Sequence, residues 1–366
     1  MNPSQDKFKI CIVSDQLANG GAERCAALLS QFFEKNNFEV HHVVVVDNIE
    51  YPFSGKILNL GKLKNESNGL FNRLKRFWVL NNFFRKNKFD YIIDYRVKRF
   101  QIQQFIIAKF IFRSPLLVTV HSYMTDLYFP KNNYLANKIY SETYKIITVS
   151  KGIEQKIIQN YNYINLKTIY NPIDIEAIEY LSNLDTAIEE QFVIAAGRMQ
   201  DDIKQFDKLI DCYSKSVLPT QNIKLIVLGE GIEKDKLIKQ VKGLHLEDKI
   251  LFKGKVENPF VYFKKALYTV LSSRYEGFGN VLIESLASGT PVVAFDCNSG
   301  PSEIIIDKEN GLLVENQNQE KLIEAMNEMV LNEKLYYHCK SNAKASIQKF
   351  SVENIGLQWL ELMKIK

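Results

Sequence analysis

The chain has 366 residues, 46% of them hydrophobic and 24% charged, with a formal net charge of +5. That length exceeds one ordinary core and predicts two domains, and the composition excludes a largely disordered chain. The five cysteines (Cys11, Cys25, Cys212, Cys297, Cys339) are odd in number and form no C-x-x-C pair. They argue against a disulfide framework or thiolate metal site and for a reducing compartment. The five histidines (His41, His42, His121, His245, His338) show no metal-ligand spacing.

In chain order, residues 1–6 are polar and run directly into a strand at 8–13, so no signal peptide is expected. A Gly20-Gly21 turn follows, and 22–34 carries Ala26, Leu29, Phe32 and Phe33 at close to helical period. The run 40–46 is a second strand, mostly apolar, as a parallel sheet covered on both faces requires.

Between 71 and 113 the charge is concentrated. Arg73, Lys75, Arg76, Arg85, Lys86, Lys88, Arg96, Lys98, Arg99, Lys109 and Arg113 face only Asp90 and Asp94. Leu70, Leu74, Phe77, Trp78 and Phe84 intermix with these cations. Two readings carry equal weight: a helix lying on an anionic membrane surface, or core aromatics beneath a solvated charged face. Nucleic acid is a poorer partner, because no recognisable binding module is present. The longest apolar run, 105–112, is too short to span a bilayer and is interrupted by Lys109.

Runs 91–94, 116–120 and 146–149 read as later strands of the same sheet. Strand and helix alternating in this way predict a doubly wound α/β domain. Ile169-Tyr170-Asn171-Pro172-Ile173-Asp174 reads as a strand stopped by a turn, and the domain junction is placed here. The expected division is 1–170, 171–350 and a terminal helix at 351–366. The second α/β series has strands at 192–196, 224–228, 250–252, 268–272 and 291–295, with no repeat at a solenoid period. In the terminal helix, capped by Ser351, Val352, Ile355, Trp359 and Leu362 share one face, which should dock, with the first domain as one partner.

The segment richest in chemistry runs from Arg274 to Pro291. Asn280 is a candidate N-cap, 281–288 the helix, and Gly289 with Pro291 its end. Gly277 and Gly279 let the backbone approach a ligand, and the helix N-terminus favours an anion or a hydroxyl-rich group. Glu276 and Glu284 flank that turn and suit hydrogen bonds to sugar and ribose hydroxyls. Alone, such a pair is more often two solvated acids on an ordinary helix. Two further turns alter the balance: Asn298-Ser299-Gly300-Pro301-Ser302-Glu303, with Pro near N1, and Gly197-Arg198 with Lys204. All three follow strands, at the carboxyl ends where open α/β sheets bind ligands.

With Gly20-Gly21-Ala22-Glu23-Arg24, Asn171-Pro172-Ile173-Asp174, Gly197-Arg198 with Lys204, Glu276 to Glu284 and Gly300-Pro301-Ser302-Glu303, the sequence resembles glycosyltransferase family 4. The order and spacing cover nearly the whole chain. The resemblance implies the GT-B fold: two Rossmann-like domains facing across a cleft, the C-terminal helix crossing back to the first. It implies a retaining transfer from a nucleotide-sugar, with UDP as the default, to a saccharide or lipid-linked saccharide in bacterial surface-glycan assembly. Arg198 and Lys204 would hold the donor diphosphate and Glu284 the ribose. Glu276 and the backbone of Gly277, Phe278, Gly279, Asn280 and Val281 would hold the donor sugar. His121 would lie beside the transferred sugar, and Gly21 would line the phosphate end. The catalytic set is then Glu276, His121, Arg198 and Lys204. One departure is that Lys204 lies six residues after Arg198, where five is commoner.

Arg suits a departing diphosphate because its planar fork makes two hydrogen bonds and keeps its charge, and Lys adds a point charge. Two fixed cations and helix N-termini can replace a divalent metal. No metal or other cofactor is therefore expected, and Asp201-Asp202 reads as solvated loop. A cytoplasmic protein is expected, peripheral on the membrane if the basic segment binds lipid. Two other readings stay open: a nucleotide-sugar epimerase, which would turn over donor without acceptor, and a catalytically silent nucleotide-sugar-binding protein. A dinucleotide oxidoreductase is disfavoured because no G-x-G-x-x-G follows the first strand.

Overall fold

The computed structural model describes residues 7–365 except 67–68, 99, 185–187 and 189, so Arg99 and the polar start 1–6 lie outside the described residues. The chain divides into two units, Met1–Pro172 with Val352–Lys366, and Ile173–Ser351.

The first unit is built on seven strands: β1 Lys9–Ser14, β2 Glu39–Val44, β3 Lys56–Asn59, β4 Tyr91–Asp94, β5 Leu116–Val120, β6 Lys145–Thr148 and β7 Leu166–Thr168. They pair in parallel in the order β3-β2-β1-β4-β5-β6-β7. Helices cover the sheet, so its central strands are apolar on both faces; all five residues of β5 are buried. The helix Gly21–Lys35 packs on this sheet through Leu29 and Phe33. The terminal helix Val352–Leu362 belongs to this unit and buries Ile355 and Trp359 in the same core. It lies so close to the first helix that a Cβ at Gly356 would fall 2.4 Å from the Phe32 ring. Tyr91 and Tyr144 then donate their hydroxyls to the carbonyls of Met363 and Leu362, at 2.7 and 3.2 Å. These bonds occupy carbonyls that a helix end leaves unpaired.

The second unit has six strands: β8 Phe192–Ala196, β9 Lys224–Leu228, β10 Ile250–Gly254, β11 Thr269–Leu271, β12 Val292–Phe295 and β13 Gly311–Val314. They too are parallel, in the order β10-β9-β8-β11-β12-β13. In each sheet the chain steps outward in one direction from β1 or β8, then returns to the other side of it. The reversal leaves a gap at the strand carboxyl ends, between β1 and β4 and between β8 and β11, where such sheets take ligands.

The structure departs from the sequence reading in three places. The run 169–174 is not a strand: β7 ends at Thr168, and Ile173 makes only an isolated bridge to Ser351. Pro172 has no N–H to give a ladder there. The strands β3 and β13, which sequence patterning does not show, both lie at sheet edges. None of the four residues of β3 is buried, so its pattern is weak, whereas β13 is a short apolar run with Gly311, Leu312 and Val314 buried. Asn280 is the first helical residue rather than the cap; Gly279 holds the cap position at φ 97°, a conformation that favours glycine.

Candidate active site

In the second unit the site is built from the loops that leave β8 and β11, on either side of the sheet's reversal. The first loop carries Gly197, Arg198 and Lys204; the second carries Ser272 to Gly279. Backbone bonds join them: Arg274 N–H donates to Ile203 O at 2.8 Å, and Ser272 Oγ–H to Lys204 O at 2.9 Å. Gln205 holds a left-handed φ of 50° and is buried, which turns Lys204 back toward the second loop. Lys204 Nζ then donates to Glu276 Oε1 at 2.5 Å, and Ser273 Oγ–H donates to the same oxygen at 2.6 Å. Glu276 is buried, so its carboxylate is held by these two donors rather than by water.

Arg198 is exposed and forms no ion pair among the described residues. The turn that carries it is braced from the β9 side. Met199 N–H donates to Glu230 O at 2.9 Å, and a Cβ at Gly229 or Gly231 would collide with backbone oxygen of Gly197 or Met199. Gly229-Glu230-Gly231, the turn after β9, thus supports the Arg198 turn.

The second Gly/Pro turn props the first. Ser299 Oγ–H donates to Gly277 O at 2.7 Å, and Gly300, at φ 104°, lies with its missing Cβ 2.0 Å from Phe278 O. Pro301 opens the short helix Pro301–Ile304. Phe278 is buried against Phe350 and fixes the middle of the Gly277-Phe278-Gly279 loop. That loop ends at the helix Asn280–Ala287, which carries Val281 and Glu284, both half-buried. Arg198, Lys204, Glu276, Gly277, Phe278, Gly279, Asn280, Val281 and Glu284 therefore all lie in one unit, on loops and a helix start beyond the carboxyl ends of two adjacent strands.

Gly21 and His121 lie in the first unit. Gly21 starts the helix after β1, and His121 directly follows β5. The His121 ring stacks on Tyr95, with centroids 5.0 Å apart, and both ring nitrogens are buried without a hydrogen-bond partner among the described residues. Burial pushes its imidazole down to about 3, so it is neutral at physiological pH. A neutral ring with two unused nitrogens can both give and accept a hydrogen bond.

Sequence reasoning missed a buried ion cluster at the end of β4. Arg96 donates to Asp94 through Nε and Nη2, both at 2.9 Å, and Lys98 Nζ forms an ion pair with Asp94 Oδ2. Burial alone would raise the Asp94 carboxyl, but the two cations win and hold it below the usual carboxylate range. Burial draws the Lys98 ammonium down to about 8. The signal was present as Asp-x-Arg-x-Lys at a strand end, yet counting charges along the chain assigned Arg96 and Lys98 to a basic surface.

A cavity of about 410 Å³ lined by Glu190, Lys224 and Asp248 lies at the amino ends of the second sheet's strands, away from these loops. Among the described residues, no group of three His, Cys, Asp or Glu is placed to hold a metal ion.

Residues 19–177 match the family model described as Glycosyltransferase Family 4, and residues 181–346 match the one described as Glycosyl transferases group 1. The chain is 31% identical over 378 residues to the N-acetylgalactosamine-N,N'-diacetylbacillosaminyl-diphospho-undecaprenol 4-alpha-N-acetylgalactosaminyltransferase of Campylobacter jejuni, covering 97% of this chain and 99% of that one. Among solved structures, HepE of Anabaena in complex with UDP matches with a TM-score of 0.77 at 21% identity, covering 98% of this chain and 100% of HepE. TarM of Staphylococcus aureus, bound to UDP and alpha-GlcNAc-glycerol, matches with a TM-score of 0.65 at 26% identity, covering 78% of this chain and 57% of TarM.

Proposed function

The chain belongs to glycosyltransferase family 4, and from that membership we propose that it transfers a sugar from UDP-sugar, with retention, to a saccharide carried on a lipid diphosphate. The observation that carries this reading is the Lys204–Glu276 pair at the β8/β11 reversal, with Arg198 exposed on the same loop as Lys204.

In the transfer, the bond from the anomeric carbon to the diphosphate breaks and negative charge grows on the leaving UDP. Arg198 and Lys204 stabilise that charge, and the start of the helix Asn280–Ala287 adds backbone N–H groups. Glu276 keeps Lys204 in place and accepts hydrogen bonds from the donor sugar, and Glu284 accepts from the ribose. The acceptor hydroxyl attacks the anomeric carbon from the face the diphosphate leaves, and its proton passes to the departing phosphate oxygen. In the first unit, His121 is neutral and can give or accept a hydrogen bond to a sugar hydroxyl, and Gly21 opens the helix after β1. With both cations supplied by side chains, the reaction needs no divalent metal and no cofactor.

UDP is favoured by the UDP complexes of HepE and TarM. The lipid-linked acceptor is favoured by the Campylobacter jejuni relative, whose name gives a diphospho-undecaprenol saccharide as acceptor and an alpha linkage. An α product from an α-linked nucleotide-sugar is retention. With such an acceptor, the proposed reaction belongs to surface-glycan assembly at the cytoplasmic face of the membrane.

The test is a panel of UDP-sugars, UDP-N-acetylgalactosamine first, with detergent-solubilised polyprenyl-diphosphate saccharide and EDTA present. Mass spectrometry should show one added sugar, and proton NMR an α linkage. A β linkage overturns retention, loss of activity in EDTA overturns metal independence, and donor conversion without acceptor points to the epimerase.

A further inference from the structure

The helix Leu70–Lys86 has one buried side, marked by Leu80 and Phe84. On the opposite side, at helical spacing, stand Phe71, Leu74 and Trp78, which are 89%, 56% and 65% exposed. The neighbouring segment, the helix Gln101–Ile106 and the π-turn Ile107–Ile111 after it, exposes Ile102 at 78% and Phe110 at 60%. The two segments pack together, with Phe84 against Phe112 at 5.0 Å. So many large apolar side chains on adjoining elements is more than the scattered exposed residue that needs no explanation.

The charges around them sort by burial. Arg96 and Lys98 are consumed in the Asp94 cluster, and Lys109 pairs with Glu142. Lys75, Arg85, Lys86, Lys88 and Arg113 remain exposed, while Asp90 is an exposed acid whose carboxylate accepts from Lys9 N–H. Lys75, Arg85 and Lys86 follow the same side of the helix as Phe71, Leu74 and Trp78. A face that is apolar at its centre, cationic at its edge and poor in acids complements an anionic lipid surface. Trp and Phe suit the headgroup boundary, and the long Lys and Arg stems allow the charges to stay in water while the rings enter.

We propose that this face, centred on Phe71, Leu74 and Trp78, docks the protein in the plane of an anionic bilayer. The occupant is the lipid surface itself; the inference does not rest on the proposed acceptor, because vesicles without any glycolipid test it. Neither segment crosses the membrane: no described helix is long and apolar enough.

The experiment is flotation of the full chain with vesicles of phosphatidylcholine alone and of phosphatidylcholine mixed with phosphatidylglycerol, at low and high salt. The wild type should float only with the anionic vesicles and be released by salt. Lys75→Gln should lower its partitioning by about fivefold, the effect of one surface charge. Phe71→Ser with Trp78→Ser should abolish flotation while leaving the circular dichroism spectrum and thermal midpoint unchanged, since both side chains are exposed. Equal binding of wild type and double variant, or no binding to anionic vesicles, overturns the proposal. So does self-association by sedimentation velocity that the double variant abolishes, which would make this face a contact between copies.

Discussion

Lys204 and Glu276 stand 72 residues apart in sequence, yet Nζ of one lies 2.5 Å from Oε1 of the other. The pair joins the loop after β8 to the loop after β11 and sets a cation where the sheet reverses its winding. Ser273 completes the arrangement from below.

Removing either partner leaves the other without its match in a partly buried place. Lys204→Ala and Glu276→Gln should each lower kcat/KM by about a hundredfold or more, the usual scale for one charge-stabilising group. Their effects on stability should be non-additive, with a coupling of about 1–3 kcal/mol in a double-mutant cycle. Steady-state kinetics and urea titrations of the four proteins check this; additive effects would separate the two residues.

Arg198 makes no ion pair among the described residues, so its charge is available to a ligand. Arg198→Ala should weaken UDP binding about tenfold or more and leave the thermal midpoint of the free protein unchanged. Isothermal titration with UDP reads the first effect and calorimetry the second. Equal affinity would remove Arg198 from the donor site.

Gly300 is held at φ 104° with Phe278 O where its Cβ would be. Gly300→Ala must strain its own backbone and push the Gly277-Phe278-Gly279 loop away. The expected loss is about 2 kcal/mol or more of stability, with a larger drop in donor affinity. A variant with unchanged UDP affinity would show that the second turn does not brace the first.

Two histidines make the first unit acid-sensitive. Burial lowers His121 to about 3 and His42 to about 4, from an ordinary 6.5. Between those values and 6.5 the unfolded chain binds protons that the folded one refuses, so stability rises with pH across that window and falls on acidification. Each group contributes a slope of up to about 1.4 kcal/mol per pH unit. His121→Gln should make the loss between pH about 7 and about 4.5 smaller by roughly 2–3 kcal/mol. Trp78 and Trp359 both lie in this unit, so tryptophan fluorescence in urea reports it. An unchanged pH dependence would mean that His121 is not buried neutral.

Asp94 is the carboxylate that forms ion pairs with both Arg96 and Lys98 in their buried cluster, with Asp15 as a further acid nearby. Asp94→Asn takes away the anion paired with both buried cations and should cost about 3–5 kcal/mol by the same fluorescence readout. A loss that shrinks as pH rises, because burial favours the neutral Lys98 amine once Asp94 no longer holds its proton, would identify the second cation as the cause.

Sequence alone determined the strands at the centre of each sheet, because a strand covered on both faces must be a short apolar run, as at Leu116–Val120 and Phe192–Ala196. It also determined which turns carry glycine beside charge, since Gly279 and Gly300 take left-handed backbone and a side chain at Gly300 would meet Phe278 O. The edge strand Lys56–Asn59 left little trace, because none of its four residues is buried. Only the tertiary structure decided which charges are surface and which are core: Arg96 and Lys98 sit within the same basic run as Lys75 and Lys86, but β4 carries the first pair inside against Asp94. It alone paired Lys204 with Glu276 and left Trp78 exposed while burying Trp359. Linear spacing fixes the face a residue takes on its own element, and what that face meets depends on elements far away in the chain.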